Sequence, residues 1–312
     1  MIQLIKEVKV MSNEEKSFSK TSINWYPGHM AKTKREIKED LKLIDVVIEI
    51  LDARIPISSR NPDMKEIIEN KKKIVILNKC DLADKKQNEL WVKHFKKDGI
   101  PAVLINSNTG EGIKNVVPEI EKIMEDEMQK SALKGRVGRI IRVLVLGIPN
   151  VGKSSFINRI SQKTSAKVGN KPGVTVRKQW IRIKNNIELL DTPGVLWPKF
   201  QSQEVALNLS YTGTIKDEVL DKEDIAFNLI KKLKKEYLDL LYNAYNLDKE
   251  QTNAILENLE DENEQILELM NIMGRKRGAL ISGGNVDLSK ISDIILRDFR
   301  TAKIGKITLE KI

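Results

Sequence analysis

The sequence has little cysteine, histidine or aromatic character and no long apolar run. Cys80 is the single cysteine, so the chain by itself forms no disulfide and no zinc finger. Aromatic residues make up 5% of the 312 residues and histidine occurs twice. No apolar run approaches the ~18 residues of a membrane helix, and the first 22 residues lack a signal-peptide pattern. We therefore expect a cytoplasmic protein without a membrane partner.

The charge is positive and unevenly distributed. The chain has 54 Lys and Arg against 44 Asp and Glu, a net charge of +10. Five basic residues lie between Lys130 and Arg142 and seven between Lys163 and Lys184, and neither stretch contains an acidic residue. A solvated surface is one explanation. A polyanionic partner is the other, because phosphate neutralisation releases counterions. Charge alone does not separate RNA from DNA or an acidic membrane.

Short apolar, β-branched segments alternate with helical stretches over the first 200 residues. This alternation predicts an α/β fold, with a mainly parallel sheet and helices on both faces. After about Phe200 the apolar residues follow helical spacing, which predicts a smaller all-α domain. Asn185 and Asn186 suit a hairpin turn. The predicted strands are 45–51, 73–78, 102–105, 142–146, 180–184 and 187–190.

The segment from Gly147 to Ser154 fits the phosphate-loop pattern G-x-x-x-x-G-K-[ST] in full. It follows a predicted strand and precedes a helical stretch, so the positive end of a helix faces the phosphates. Lys153 is expected to reach the β- and γ-phosphates, and the Ser154 hydroxyl to ligate Mg²⁺. The residues predicted to bind the phosphates are Pro149, Asn150, Val151, Gly152, Lys153, Ser154 and Ser155.

A second motif selects the base. Asn78 to Asp81 reads Asn-Lys-Cys-Asp at the end of a predicted strand. The Asp81 carboxylate accepts two hydrogen bonds from guanine, and adenine lacks that donor pair. Asn78 is expected to brace the loop and Lys79 to lie along the base. Ser107 and Asn108, after the third strand, complete the pocket. Beside a phosphate loop, this short motif predicts GTP rather than ATP.

A third motif, Asp191-Thr192-Pro193-Gly194, closes another predicted strand. Such a carboxylate holds Mg²⁺ through water, and the glycine senses the γ-phosphate. Thr175 is expected to supply the second hydroxyl to Mg²⁺ from a loop that orders with the triphosphate.

The residue that orients the attacking water is not obvious. Many GTPases have glutamine after the third-motif glycine, but here that position is Val195. His94 reads as a surface helix residue. His29 lies in a Pro-Gly-His turn, which presents a side chain, although a loop histidine bonding a carbonyl is the alternative. The predicted catalytic residues are His29, Lys153 and Thr175.

These motifs resemble those of translation-factor-related GTPases, but in circularly permuted order. Three further segments make the chain similar to the ribosome biogenesis GTPase A family (RbgA, also called YlqF). They are Asn24 to Lys32, Asp52-Ala53-Arg54, and Arg297 to Arg300 with Gly305-Lys306. The resemblance covers residues 23–310. It implies a circularly permuted GTPase domain (23–200) and a helical RNA- and ribosome-binding domain (201–312), while the polar residues 1–22 read as a flexible extension.

The resemblance also implies a function. A member of this family would bind GTP and Mg²⁺, act on a late precursor of the large (50S) ribosomal subunit and its rRNA, and leave on hydrolysis. It would be monomeric when free. The resemblance points to His29 for hydrolysis and to Asn150 as a K⁺ ligand. An asparagine that stabilises its own turn is the alternative at 150. Two permuted relatives carry zinc-binding domains, and the single cysteine argues against both.

Basic residues recur in the helical region, where the resemblance places rRNA contacts. Sparse aromatic residues favour contacts with RNA backbone and shape over base stacking, and a solvated helix surface is again the alternative. The spacing of the last run predicts one cationic helix face. The basic residues are Lys231, Lys232, Lys234, Lys235, Arg275, Lys276 and Arg277, then Arg297, Arg300, Lys303 and Lys306.

Two other functions remain open at this point. The phosphate loop also serves ATPases, which the Asn78–Asp81 motif disfavours. A protein that holds GTP only as a structural ligand is the second, and Val195 would then mark lost catalysis.

Overall fold

The computed structural model describes residues 29–68, 70–136, 138–162, 180–192, 202–215, 217–219 and 221–312. The predicted extension at residues 1–22 lies outside them. The α/β part contains α1 (His29–Asp40), β1 (Val46–Asp52), α2 (Pro62–Ile67), β2 (Lys72–Asn78), α3 (Lys85–Lys97), β3 (Ala102–Ile105), α4 (Val116–Leu133), β4 (Ile141–Gly147), α5 (Lys153–Gln162), β5 (Trp180–Lys184) and β6 (Ile187–Asp191). The helical part contains α6 (Gln203–Tyr211), α7 (Lys222–Tyr245), α8 (Lys249–Glu257), α9 (Glu262–Lys276) and α10 (Leu288–Arg300).

The six described strands form one sheet in the order β3-β2-β1-β4-β6-β5. Neighbouring strands are parallel except β5, which pairs antiparallel with β6. All seven residues of the central strand β1 are buried. Continuous apolar runs are typical of parallel strands covered on both faces. The predicted strands, the hairpin and the α/β class are confirmed, with ends that differ by a residue or so.

Helices cover both faces of the sheet. On one face, Ile37 of α1 and Met64 of α2 pack with Leu144 of β4, and α3 packs Trp91 beside Leu77. On the other face, α4 and α5 join the main core, which contains the alternate residues of β1. Successive side chains of a strand point to opposite faces. In open α/β sheets ligands bind at the carboxyl ends of the parallel strands, so we expect the site there.

Aspartates cap the beginnings of the last four helices of the all-α part. Each N-cap carboxylate accepts hydrogen bonds from N–H groups of the first turn, which otherwise have no partner within the helix. Helix α7 ends at Asn246, whose φ of 53° is left-handed. This local chemistry explains why helices follow one another so closely here. The capping residues of α7, α8, α9 and α10 are Asp221, Asp248, Asp261 and Asp287.

The last ten residues, 303–312, return to the α/β part; we name them the C-terminal segment. The Leu309 N–H donates to the Arg54 carbonyl at 2.9 Å, and the Ile307 N–H to the Leu82 carbonyl at 3.1 Å. The Trp91 indole donates to the Glu310 carbonyl at 2.8 Å. The end of the chain thus covers the loops that follow β1 and β2.

The prediction that the basic residues at 297–306 share one helix face is wrong. Helix α10 ends at Arg300, so Lys303 and Lys306 lie beyond it. Arg300 is also not free for a partner, because it donates two 2.8 Å hydrogen bonds to the carboxylate of Asp217. A left-handed residue, Ala302 with φ 56°, breaks the periodicity. Spacing predicted a continuous helix because nothing in the basic pattern marks that stop.

The predicted domain boundary after residue 200 falls between residues that lie outside the described ranges, so the division stays a prediction. Among the described residues, no helix is both long and apolar enough to cross a membrane.

Candidate nucleotide-binding site

A cleft of about 580 Å³ lies at the carboxyl ends of β2, β3 and β4. The predicted residues that line it come from three separate loops. Among the described residues, three predicted ones do not line it: Asp81, Asp191 and the buried Val151. Sequence reasoning assigned no role to Ile148 or Thr192, which also line it. The predicted residues that the fold brings together are Asn78, Lys79, Ser107, Asn108, Pro149, Asn150, Gly152, Lys153, Ser154 and Ser155.

The phosphate loop joins β4 to the first residue of α5, Lys153. Gly152 has a φ of +94°, and a Cβ at this position would lie 2.2 Å from Asn78 Nδ2. Only glycine fits, because a side chain would collide and would also disfavour this backbone conformation. Ser154 and Ser155 are exposed in the first turn of α5. Unpaired N–H groups and the helix dipole make this end of the cleft suitable for phosphate.

Asn78 connects the three loops. Its Nδ2 donates to the Val151 carbonyl at 2.7 Å. Its Oδ1 accepts from the Ser107 N–H at 3.1 Å and the Ser107 hydroxyl at 2.9 Å. The residue is 2% exposed, so each lost bond would leave a buried polar group without a partner. The side-chain amide of Asn78 therefore holds together the phosphate loop, the loop after β2 and the loop after β3.

Lys79 crosses from the end of β2 toward the phosphate loop. Its Nζ donates to the Asn150 carbonyl at 2.8 Å and to Asp52 Oδ2 at 2.9 Å. Burial alone would raise the pKa of Asp52, but Arg54 and Lys79 hold that pKa below its usual range. In the sequence, only its place in the Asp52-Ala53-Arg54 family motif singles out Asp52. A buried strand ending in aspartate beside the Asn-Lys-Cys-Asp strand was the signal available for this contact.

Lys153 and Asp191 meet at the phosphate end of the cleft. The Lys153 ammonium donates to the Asp191 carboxylate and to the Thr192 carbonyl, and all three residues are buried. Thr192 is anchored in turn by a 2.8 Å bond from its hydroxyl to the Val145 carbonyl. The motifs predicted to handle phosphate and Mg²⁺ thus converge, although they are 38 residues apart.

Comparison with known proteins identifies the family. The chain is 44% identical over 289 residues to ribosome biogenesis GTPase A of Bacillus licheniformis, covering 93% of this chain and 98% of the relative. Ribosome biogenesis GTPase A of Thermotoga maritima is 30% identical over 93% of this chain and 94% of its own length. The chain belongs to the ribosome biogenesis GTPase A family. The profile of a family described as 50S ribosome-binding GTPase matches residues 142–272.

A solved structure supports the same assignment. The GNP-bound YlqF from T. maritima superposes with a TM-score of 0.59 at 26% sequence identity, covering 90% of this chain and 98% of that chain. The resemblance noted from the permuted motifs is therefore confirmed, and the protein is a GTPase with the YlqF-like fold.

In this GTPase the loop after β3 is held from α5. Arg159 donates to the Ser107 carbonyl at 3.3 Å and also to the Asn108 carbonyl. The Asn106 side chain accepts from the N–H groups of Asn108 at 2.9 Å and Thr109 at 3.1 Å. Arg159 was not predicted, because its role depends on the packing of α5 against a loop about 50 residues away.

Asn150 contacts the helical part. Its φ is 60°, and its side-chain amide donates to the Gly213 carbonyl, in the turn after α6, at 2.9 Å. The Asn150 side chain thus bonds to a turn of the helical part. The K⁺ assignment stays a prediction.

Several predicted residues lie outside the described part of the GTPase. They are Thr175, Gly194, Val195 and the side chain of His29, whose backbone begins α1. His94 lies on α3 with its side chain 47% exposed, as predicted for a surface helix residue.

The described residues fit Mg²⁺ in the way nucleotide enzymes hold it. Among them, no group of three or more His, Cys, Asp or Glu could hold a metal ion alone. Mg²⁺ in such enzymes takes few protein ligands and keeps phosphates and water. The exposed Ser154 hydroxyl and the Asp191 carboxylate offer that sparse set.

Proposed function

We propose that this GTPase assembles the large (50S) ribosomal subunit, binding rRNA in a late precursor particle and leaving after hydrolysis. The junction at Asn78 carries the site assignment, because it holds the base-selecting loop, Ser107 and the phosphate loop around one cleft. The cleft volume of about 580 Å³ suits a nucleotide. The relatives are named for ribosome biogenesis, which supports the choice of partner.

Guanine binds at the β2–β3 end of the cleft in this proposal. Asp81 accepts from the two guanine donors, Lys79 lies along the base, and Ser107 and Asn108 close the far side. An ATP molecule would leave the Asp81 carboxylate without its donors, and rejection by an unpaired polar group is strong.

The phosphates bind at the α5 end. Lys153 would exchange the Asp191 carboxylate for β- and γ-phosphate oxygens. Ser154 and Thr175 would hold Mg²⁺ through their hydroxyls, and Asp191 would hold it through water. Bound Mg²⁺ would neutralise charge on the phosphate oxygens. The existing Lys153–Asp191 contact keeps both charges compensated in the buried pocket before nucleotide arrives.

His29 orients the attacking water, because Val195 neither donates nor accepts a hydrogen bond. Asn150 ligates a K⁺ ion that assists hydrolysis. This requires the Asn150 amide to turn its carbonyl oxygen toward the ion and to give up the bond to Gly213. Gly194 senses the γ-phosphate and passes the change to the residues that lead into α6.

The rRNA surface lies on the helical part. Three of the basic side chains there pair with carboxylates that are exposed or partly exposed, and such ion pairs contribute little stability. RNA phosphates therefore replace these carboxylates at small cost. These ion pairs are Lys231–Glu262 at 2.8 Å, Lys232–Glu204 at 3.0 Å and Arg275–Glu268 at 3.4 Å.

We further propose that the protein acts in the cytoplasm and is monomeric when free.

GTP turnover in K⁺ buffer, alone and with purified large or small ribosomal subunits, tests the proposal. We expect slow intrinsic turnover, acceleration by large subunits only, and no competition by ATP. Equal rates with and without large subunits would remove the ribosome from the mechanism. Repeating the series in Na⁺ tests the role of Asn150, because turnover that does not depend on the cation would contradict it.

A further inference from the structure

Lys79 is held in one conformation before any nucleotide binds. Its φ of 60° is left-handed, and its Nζ is fixed between the Asn150 carbonyl at 2.8 Å and Asp52 Oδ2 at 2.9 Å. The side chain is 22% exposed and lines the cleft. A lysine otherwise has many accessible rotamers, so two contacts at the Nζ atom remove considerable conformational freedom from this side chain.

Asp52 is placed for this contact by strand register. It is the last residue of β1 and lies directly opposite Asn78, the last residue of the parallel neighbour β2. The residue after Asn78 is therefore within reach of the Asp52 carboxylate.

The Asp52 carboxylate is itself immobilised. Oδ1 accepts from the Arg54 Nε at 2.9 Å and the Arg54 N–H at 3.1 Å, while Oδ2 accepts from Arg54 Nη2 at 2.8 Å. The Asp52 N–H donates to the Ser59 hydroxyl at 3.0 Å. Asp52 is 1% exposed and Arg54 2%. Bidentate arginine pairs fix direction as well as distance.

We infer that Asp52 is a positioning residue for guanine nucleotides: locked by Arg54, it holds Lys79 in the conformation that lies along the base. The inference rests on the proposed role of Lys79. Ordering the lysine in advance removes part of the entropic cost of binding. Because the γ-phosphate takes no part, Asp52 favours GDP and GTP equally.

The same strand offers a matched control. Glu49, three residues earlier on β1, is 4% exposed and accepts from Arg60 Nε and Nη2, each at 2.9 Å. Glu49→Gln therefore also removes a buried charge paired with arginine, but Lys79 is not its partner. A purely structural role for Asp52 predicts that the two carboxylates respond alike.

Calorimetric titration with GDP and with a non-hydrolysable GTP analogue tests the inference on wild type, Asp52→Asn, Glu49→Gln, Lys79→Ala and the double variant Asp52→Asn/Lys79→Ala. We expect Asp52→Asn to raise both Kd values about tenfold, the scale of a lost charge-assisted hydrogen bond. The kcat at saturating GTP should stay within about twofold of wild type, and Glu49→Gln should bind as wild type. In the Lys79→Ala background, Asp52→Asn should have no further effect.

Asp52→Asn leaves Arg54 buried with no carboxylate partner. If that variant does not fold, Asp52→Asn/Arg54→Met removes both charges and still leaves Lys79 without its partner. Wild-type affinity in a folded Asp52 variant, with Lys79→Ala weakened, overturns the inference alone. An undiminished effect of Asp52→Asn in the Lys79→Ala background also overturns it. Wild-type affinity in Lys79→Ala overturns the role of Lys79 and the inference with it.

Discussion

Gly152 shows how a single residue controls the site. Its backbone φ is +94°, and the nearest atom to an added Cβ would be Asn78 Nδ2 at 2.2 Å. Alanine there would push away the amide that connects three loops. We expect Gly152→Ala to reduce GTP affinity by at least about a hundredfold, since several buried hydrogen bonds are lost together.

Gly278→Ala is the control for Gly152→Ala. Gly278 also has a positive φ, +63°, but an added Cβ would have nothing within 4 Å. That variant carries backbone strain of about 1–2 kcal/mol without a collision. Both variants are compared by nucleotide titration and thermal unfolding. Equal nucleotide affinities in the two would contradict the importance of the Asn78 contact.

The two histidines offer a second comparison at the residue scale. His29→Ala should lower ribosome-stimulated kcat by about a hundredfold or more, the range for a group that assists proton transfer or water placement. GTP affinity should change little, because the histidine does not hold the ground state. His94→Ala, on the exposed face of α3, should leave turnover unchanged. A wild-type kcat in His29→Ala, measured with large subunits, would refute the assignment.

At the scale of elements, the end of α10 is tied to the turns around α6. Arg300 donates to both oxygens of Asp217 at 2.8 Å and to the carbonyls of Tyr211 at 3.0 Å and Ser210 at 2.9 Å. It also lies 3.3 Å from the position of a Cβ on Gly213, whose carbonyl accepts from the phosphate-loop residue Asn150. A helix of the all-α part thereby supports a turn that contacts the phosphate loop.

The Arg300–Asp217 pair predicts a pH dependence of stability. Hydrogen bonding to Arg300 lowers the pKa of Asp217 from its ordinary value, although burial opposes this. A lowered folded-state pKa stabilises the fold above the unfolded-state pKa, and the contribution disappears as pH falls through the folded value. Asp217→Asn should therefore lower the free energy of unfolding by about 1 kcal/mol near neutral pH, a modest figure because the pair is partly exposed.

Urea unfolding of wild type and Asp217→Asn across pH measures this difference. It should shrink toward zero in acid, where the wild-type carboxylate is protonated. Asp293→Asn, which removes from α10 the exposed partner of Lys222 on α7, should show no such difference. A gap between wild type and Asp217→Asn that stays constant with pH would contradict the electrostatic explanation.

The whole molecule combines a permuted α/β part with an end that folds back on it. Domain termini often lie close together, so permutation keeps a fold. Here the C-terminal segment covers the loops after β1 and β2 through Arg54, Leu82 and Trp91. It also accepts a 2.7 Å bond from the Tyr237 hydroxyl of α7 at the Thr308 carbonyl. The helical part thus reaches the base side of the cleft through this segment and the phosphate side through Asn150.

These contacts join the two parts by a path other than the one proposed from Gly194 into α6, whose connecting residues lie outside the described ranges. The contacts at Arg54 and Gly213 join residues far apart in the chain. No short-range sequence pattern predicts these two contacts.

The sequence by itself determined the α/β class, the strands and the phosphate and base motifs, because each depends on neighbouring residues. Apolar runs bury strands, Gly152 permits one backbone turn, and four aspartates cap the helices that follow them. Only the tertiary structure decided that Asp52 meets Lys79, that Arg159 holds the Ser107 loop and that Arg300 is used internally. Those contacts follow from strand register and helix packing, which bring together residues that no short-range pattern connects.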